Sequence, residues 1–306
     1  MRTIRLAALT AAAAAAFTMS ISTSSAAGMS RHGAKPIAPG AGSHAAPAAS
    51  ADTLSLQTNG KTGVVSPTPK VYLVFWGSQW SKDPAKVAPD MQAMFKGLYG
   101  AQDTWGTILA QYCENAAKGT TTCPSSATFI KHPSASVLGG VWFDNGSAAP
   151  ANSTQAQIAA EAGKAAGHFG NKTQAPNLNA QYVVLSATGT HPDGFPNSGF
   201  CAWHDSTSSS YGKLAYTNLP YVPDLGAGAC TTLTDGRMLS GIESTETHEY
   251  AETVTDFWPT DGWNNTANGE IGDECVNLDA YETLTTGKFD VQGLWSNKAN
   301  ACVTHG

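Results

Sequence analysis

The sequence predicts an α/β or α+β domain, stabilised by disulfides, in which a long late helix packs against a mixed sheet. Three observations lead to this fold class. Apolar runs of strand length alternate with segments of helical periodicity, the chain contains six cysteines, and its 306 residues are enough to bury a core of ordinary size.

The first half of the domain alternates strands with helices. Residues 71–76 form a continuous apolar and aromatic run, which is typical of a strand buried on both faces. Residues 91–98 follow Pro89 and place apolar side chains at i, i+3, i+4 and i+7, so they predict an amphipathic helix. Residues 137–143 predict a second strand and residues 154–169 a second helix.

The second half adds two strands and the last helix. Residues 182–185 predict a third strand and residues 213–217 a fourth. The last long helix is predicted from Gly236 to Thr255, with Thr234 or Asp235 as its N-cap. The predicted order is therefore β-α-β-α-β-β-α.

The N-terminal segment predicts export. A basic start, an alanine-rich apolar run and small residues before position 28 are typical of a secretory signal peptide, so we assign it to residues 1–27. Residues 28–52 are mostly Gly, Ala, Pro and Ser, which predicts a linker or a pro-segment. Residues 53–306 then form one domain. We expect the mature protein to be secreted and extracellular.

The charge balance limits the possible partners. The chain has 17 Lys and Arg against 23 Asp and Glu, a formal net charge of −6, and it lacks the basic field of a nucleic-acid or anionic-membrane binder. Apart from the signal peptide, no segment of the sequence has the length and apolar character of a membrane span. We therefore expect no nucleic-acid partner, no membrane association after signal cleavage, and a monomer.

The six cysteines predict three disulfides, because an exported chain with an even number of cysteines favours oxidised pairs. Taken two at a time in sequence order, the cysteines enclose turn-rich stretches. We therefore predict the pairs Cys113–Cys123, Cys201–Cys230 and Cys275–Cys302. A cysteine zinc site is disfavoured, since no C-x-x-C spacing occurs.

The chemistry is predicted to lie on the last helix, in the sequence HEYAE that runs from His248 to Glu252. Residues i and i+4 share one face of a helix, so His248 and Glu252 can bind one metal ion, with Glu249 beside them. The pattern is that of the H-E-x-x-H zinc helix with Glu in place of the second His, and a carboxylate is an accepted zinc ligand. We therefore predict Zn²⁺, or another divalent metal, as the cofactor.

Acidic residues are concentrated around this motif. Seven of the nine Glu fall between residues 243 and 282, and no Lys or Arg occurs between Arg237 and Lys288. Carboxylates this close along one helix repel each other unless a cation intervenes, which favours metal binding over a solvated helix face.

A third ligand is expected from the sequence GEIGD, which contains Glu270 and Asp273. Seventeen residues separate Glu252 from Glu270, enough for the chain to leave the helix, turn and return. Glu270 is the preferred third ligand, and Asp273, Asp261 and Asp256 are the alternatives.

These motifs resemble those of the zincin metallopeptidases, and in particular the gluzincin arrangement with a downstream Glu ligand. The resemblance implies a zincin-like mixed sheet packed on an active-site helix. It also implies His248, Glu252 and Glu270 as metal ligands and Glu249 as general base. Asp273 would orient one of these ligands through a hydrogen bond, or would itself be a fourth or alternative ligand.

A wider resemblance covers most of the mature chain. The stretches VYLVFWGSQW, QYVVLSATGTHPDGF and GEIGDEC are similar to those of bacterial secreted relatives of the phosphate-induced, exordium-like proteins of plants. That resemblance implies an extracellular protein without an established activity. It provides the alternative to the peptidase: a non-catalytic binding protein, stabilised by a cation held in the acidic cluster.

The sequence thus predicts an enzyme, a secreted metallopeptidase that hydrolyses peptide or protein substrates, with Glu249 taking a proton from water and passing it to the leaving amine. We expect the substrate to add as a β-strand along residues 213–217. His204, in a predicted loop next to Cys201, is interpreted as a structural residue, with a metal-ligand or transition-state donor role as the alternative.

Overall fold

A mixed five-stranded sheet carries helices on both of its faces. The computed structural model describes residues 53–58, 61–132, 135–259, 261–265 and 269–306. The predicted signal peptide and the predicted linker lie outside these residues.

The helices and strands have the following bounds. The helices are α1 (Val87–Gly97), α2 (Gln155–His168), α3 (Gln174–Asn177) and α4 (Ser240–Thr255). The strands are β1 (Ser55–Gln57), β2 (Lys70–Trp76), β3 (Cys113–Glu114), β4 (Thr128–Phe129), β5 (Leu138–Asp144), β6 (Ala180–Ser186), β7 (Trp203–Ser209), β8 (Gly212–Leu219), β9 (Gly262–Asn264), β10 (Asp279–Leu284), β11 (Gly287–Gln292), β12 (Leu294–Ser296) and β13 (Ala301–Val303). None of the helices in the described ranges has both the length and the apolar character needed to cross a membrane.

The central sheet has the strand order β5-β2-β6-β8-β7. The first four strands run parallel to their neighbours, and β7 alone is antiparallel, paired with β8 through a tight connection. The remaining strands form two-stranded sheets, among them β1 with β9 and β10 with β11. The predicted mixed sheet is confirmed.

Alternating side chains of the central strands build two separate cores. One face, with Leu73 and Val183, packs against α1 and α4, while the other face, with Val74 and Tyr182, packs against α2. Both sets of side chains are buried because helices cover both faces of this sheet. The continuous apolar runs that predict β2 and β6 reflect this double burial.

The predicted strands and helices are present, and the structure adds elements that were not predicted, among them α3, β7 and the strands that follow α4. Strand β7 was not predicted, because its sequence WHDSTSS lacks an apolar alternation and it is held by its pairing with β8. Helix α4 begins at Ser240 rather than Gly236, so the predicted N-cap at Thr234 or Asp235 is wrong. Gly236 has a φ of 76°, a left-handed conformation that a right-handed helix cannot include.

Helix α4 is polar in sequence and yet buried along its whole length. It is enclosed between strands β7 and β8 on one side and β11 on the other. Its polar side chains therefore need partners inside the protein. Glu243 pairs with Arg237 and accepts a hydrogen bond from the backbone N–H of Asp290 at 2.7 Å, and the Thr247 hydroxyl accepts from the N–H of Gln292 at 3.1 Å.

The three predicted disulfides, Cys113–Cys123, Cys201–Cys230 and Cys275–Cys302, are all confirmed. Two of them flank the segments that surround α4. Cys201 lies two residues before β7, and Cys275 lies two residues after the GEIGD sequence. These covalent links fix the positions from which β7 and the GEIGD turn approach the helix.

Replacing both Cys201 and Cys230 by serine should lower the free energy of unfolding by about 3.5 kcal/mol, since this bridge closes a loop with a sequence separation of 29. The matched control replaces Cys113 and Cys123, whose separation is 10 and whose loss should cost about 2.5 kcal/mol. Urea unfolding of both double variants measures the two values. A larger loss in the Cys113/Cys123 variant would contradict loop closure as the main effect.

Candidate metal centre

The HEYAE motif of α4 places three donor groups around one point. His248, Glu249 and Glu252 are fully buried, and one donor atom from each lies within 4.8 Å of the other two. His248 Nε2 and Glu252 Oε2 are 3.2 Å apart. The helical spacing of four residues produces this approach, as the sequence predicts.

Strand β7 brings a second histidine to the same carboxylate. His204 lies opposite Thr217 of β8, on the face of the sheet that α4 covers. Its Nε2 atom is 2.7 Å from Glu270 Oε2 and 3.5 Å from Glu252 Oε2. His204, Glu252 and Glu270 thus form a second set of donors that lie within 4.8 Å of one another.

The GEIGD turn returns Glu270 to the helix, as its spacing predicts. The backbone N–H of Asp273 donates to Glu252 Oε1 at 3.1 Å, which fixes the turn to α4. Gly272 is needed at the contact, because a Cβ atom there would lie 2.7 Å from His248 Nδ1 and 2.9 Å from Glu252 Oε1. The turn is therefore packed directly on two of the predicted ligands.

Both imidazoles present their Nε2 atoms to Glu252 because their Nδ1 atoms have other partners. His248 Nδ1 lies 3.1 Å from Gln292 Oε1, and the Gln292 amide nitrogen donates to the carbonyl of Gly272 at 2.8 Å. A carbonyl can only accept, so the Gln292 oxygen faces His248, and Nδ1 donates to it. A neutral His248 then carries a lone pair on Nε2. His204 Nδ1 lies 3.3 Å from the Thr253 hydroxyl, which can donate or accept.

Burial and crowding oppose negative charge at this site. Burial raises the pKa of Glu252 well above its usual value, and the charges of Asp273, Glu270 and Glu249 raise it further. Burial, together with the charge of Glu270, raises the pKa of Asp273 to about 7. Burial alone would lower the pKa of His204, but the charge of Glu270 and its hydrogen bond outweigh that effect and raise it. A bound cation would remove this electrostatic cost.

The donor chemistry fits a zinc-like ion. Imidazole nitrogen and carboxylate oxygen are both zinc ligands, whereas calcium prefers oxygen alone. Glu252 Oε2 is fully buried and accepts no hydrogen bond from any described residue, although two imidazoles lie within 3.5 Å of it. Such an oxygen is suited to a cation.

The predicted site residues fall into the two sets as follows. His248 and Glu249 belong to the first, Glu270 belongs to the second, and Glu252 belongs to both. Asp273 lies beside them, with its Oδ1 atom 3.8 Å from His248 Nε2. The assignment of one ion to His248, Glu252 and Glu270 remains a prediction.

The other alternative ligands lie outside both sets. Asp256 accepts a hydrogen bond from Asn264 at 3.3 Å, and Asp261 forms an ion pair with Lys61 at 2.5 Å. Sequence interpretation underestimated His204, which lies in a strand rather than in a loop. No local pattern could have placed it, because His204 and Glu270 are 66 positions apart in the chain and meet only through the packing of β7 against the GEIGD turn.

No protein-family model, curated protein or solved structure matches this chain. What the site can do therefore follows from its own donor atoms, charges and surroundings.

Without a bound cation, the protein should be more stable in mild acid than at neutral pH. Glu252 and Asp273 keep their protons to a higher pH when folded than in the unfolded chain, where carboxyls titrate near about 4. The folded state therefore binds more protons between about pH 4 and about 7, the value for Asp273, so the free energy of unfolding falls as the pH rises. The raised pKa of His204 acts in the same direction.

Thermal unfolding in the presence of a chelator, at about pH 5 and about pH 7.5, measures this effect. The melting temperature should be higher at the lower pH, and saturating Zn²⁺ should raise it more at the higher pH, where the carboxylates are free to bind. Asp273→Asn should reduce the pH dependence. A chelated protein that is more stable at the higher pH would contradict this account.

Gln292→Ala should weaken Zn²⁺ binding roughly 10–100-fold, because it removes the acceptor that orients His248. The control is Gln92→Ala on α1. The Gln92 amide donates a hydrogen bond to the carbonyl of Ala88, and neither residue belongs to the candidate metal centre. Competition with a chromogenic chelator measures the two dissociation constants. Unchanged affinity in Gln292→Ala would show that this contact does not position the imidazole.

Proposed function

We propose that this protein is a secreted, zincin-like metallopeptidase that hydrolyses peptide bonds with Glu249 as general base. The observation that carries the proposal is the convergence of His248, Glu249 and Glu252 of one helix with Glu270 and His204 around a buried carboxylate oxygen. In this proposal His248, Glu252 and Glu270 hold a zinc-like ion.

When bound, such an ion supplies a Lewis acid for the substrate carbonyl and lowers the pKa of a water molecule. Glu249 does the proton work: it accepts the proton of the water and passes it to the leaving amine. Glu249 lies next to the ligand His248, and its donor oxygen is within 4.8 Å of donor atoms of His248 and Glu252, which suits this role. Gln292 and the N–H of Asp273 hold His248 and Glu252 in place.

The structure requires a different position for the substrate from the one that the sequence predicts. Residues 213–217 lie in β8, which is paired with β6 on one side and β7 on the other, so the prediction that a peptide adds to this strand is wrong. Strand β7 is the terminal strand of the described sheet and carries His204. Since edge strands offer backbone hydrogen-bonding groups to extended peptides, we place the substrate along β7.

The alternative, an exordium-like binding protein without catalytic activity, is favoured by one observation. His248, Glu249 and Glu252 have no exposed surface, and the side chain of Asp273, 27% exposed, is the most open of the acidic groups around them. Structural metal sites are closed, whereas catalytic ones keep a position open for water or substrate. A closed site would hold a cation for stability alone.

Glu249→Gln tests the peptidase proposal. The variant should keep its bound metal and lose roughly 10²–10⁴-fold in the rate of casein hydrolysis, because the amide cannot accept the proton. The matched control is Glu246→Gln, one helical turn earlier. Glu246 is equally buried, and burial raises its pKa well above the usual value, so the amide replaces an uncharged group and should leave hydrolysis unchanged.

The outcomes separate the two candidate functions. Hydrolysis that survives Glu249→Gln removes this mechanism. A wild-type protein that binds metal stoichiometrically, as elemental analysis would show, and hydrolyses neither casein nor short peptides supports the binding protein.

A further inference from the structure

The candidate metal centre contains four carboxyl groups, twice the number whose charge one divalent cation balances when all of them are ionised. Its acidic members are Glu249, Glu252, Glu270 and Asp273. When these four carboxylates are ionised, one dication leaves 4 − 2 = 2 negative charges and two dications leave none. Within the described residues, the ion pairs of Glu252, Glu270 and Asp273 are formed with imidazoles and not with Lys or Arg.

The donor atoms also divide by position. A tetrahedral zinc ion about 2.1 Å from its ligands holds those atoms about 3.4 Å apart. The set on His248 and the set on His204 each lie within 4.8 Å, so each has the size of a single-ion site. Of the sets found within the described residues, neither contains both imidazoles. One ion cannot serve both histidines without a rearrangement of the site.

Glu252 is the member common to both sets. Its Oε2 atom lies 3.2 Å from His248 Nε2 and 3.5 Å from His204 Nε2. The N–H of Asp273 holds its other oxygen at 3.1 Å, which limits rotation of the carboxylate. Hydrolytic two-metal sites hold their ions about 3.5–4 Å apart, a separation that one shared carboxylate can span.

His204 can change from a hydrogen-bond donor to a metal ligand while strand β7, which carries it, stays in place. Its Nε2 atom, 2.7 Å from Glu270 Oε2, is at hydrogen-bond distance, about 0.7 Å closer than two ligands of one tetrahedral ion. As a ligand, His204 must lose the Nε2 proton and carry one on Nδ1. The Thr253 hydroxyl, 3.3 Å from Nδ1, can accept a hydrogen bond from that position.

We propose that the protein binds two divalent cations, one on the His248 side and one between His204 and Glu270, with Glu252 shared between them. This inference rests on the proposed metal-dependent function and extends it: the site is dinuclear, and His204 and Glu270 are ligands of the second ion. Glu270 shares a donor set with His204 and not with His248, so the first ion would be held by His248 and Glu252, with Glu249 beside them as the base.

The test counts ions. The purified protein is stripped with a chelator, reloaded with Zn²⁺ and desalted, and bound zinc per chain is measured by elemental analysis. We expect two ions in the wild type, one in His204→Ala, and two in the control His191→Ala, whose side chain is exposed. In the Mn²⁺-loaded protein, electron paramagnetic resonance should show a spin-coupled pair that His204→Ala converts to an isolated ion.

The outcomes distinguish this inference from the proposed function. One zinc per wild-type chain overturns the second site and leaves the metallopeptidase intact. No bound zinc removes both. Two zinc ions that persist in His204→Ala overturn the assignment of His204. If circular dichroism shows that His204→Ala does not fold, Glu270→Gln replaces it, because the amide keeps the shape of the side chain while weakening the same ion.

Discussion

The rest of the structure depends on the burial of Glu252 next to other carboxylates. A buried carboxylate is costly unless a positive charge or several hydrogen bonds compensate it. Here one oxygen accepts a hydrogen bond from the N–H of Asp273, and the other faces two imidazoles and accepts none from the residues that the structure describes. Sheet, helix and turn all contribute a group to this one side chain. A bound cation would neutralise these carboxylates. Without one, their burial destabilises the folded protein.

The fold accommodates this charge by enclosing a polar helix on both sides. Helix α4 has few apolar residues to drive its burial, yet β7 and β8 cover one face and β11 covers another. The stability of the packing therefore comes from the surrounding cores and from disulfides that lie at the starts and ends of the covering segments. Gly272 allows the last of these segments to approach the ligands closely.

The same burial links the two candidate functions. A site closed to solvent favours a structural cation, whereas catalysis needs a route for the substrate. In the proposed function, that route would run along β7, the terminal strand of the described sheet. Two ions that share Glu252 would suit either function. They would balance the charge of the buried carboxylates, and for catalysis they would place a second Lewis acid beside the first.

The sequence by itself determined the local features: the main strands and helices, the neighbouring disulfide pairs, and the i, i+4 approach of His248 to Glu252. Each depends on residues near one another in the chain, where periodicity and spacing carry the information. Only the tertiary structure decided that His204 joins the site, that β8 is an interior strand, and that Glu252 is shared between two sets of donors. These features arise from pairing and packing between distant segments, and such contacts leave no periodic signal in the sequence of either segment.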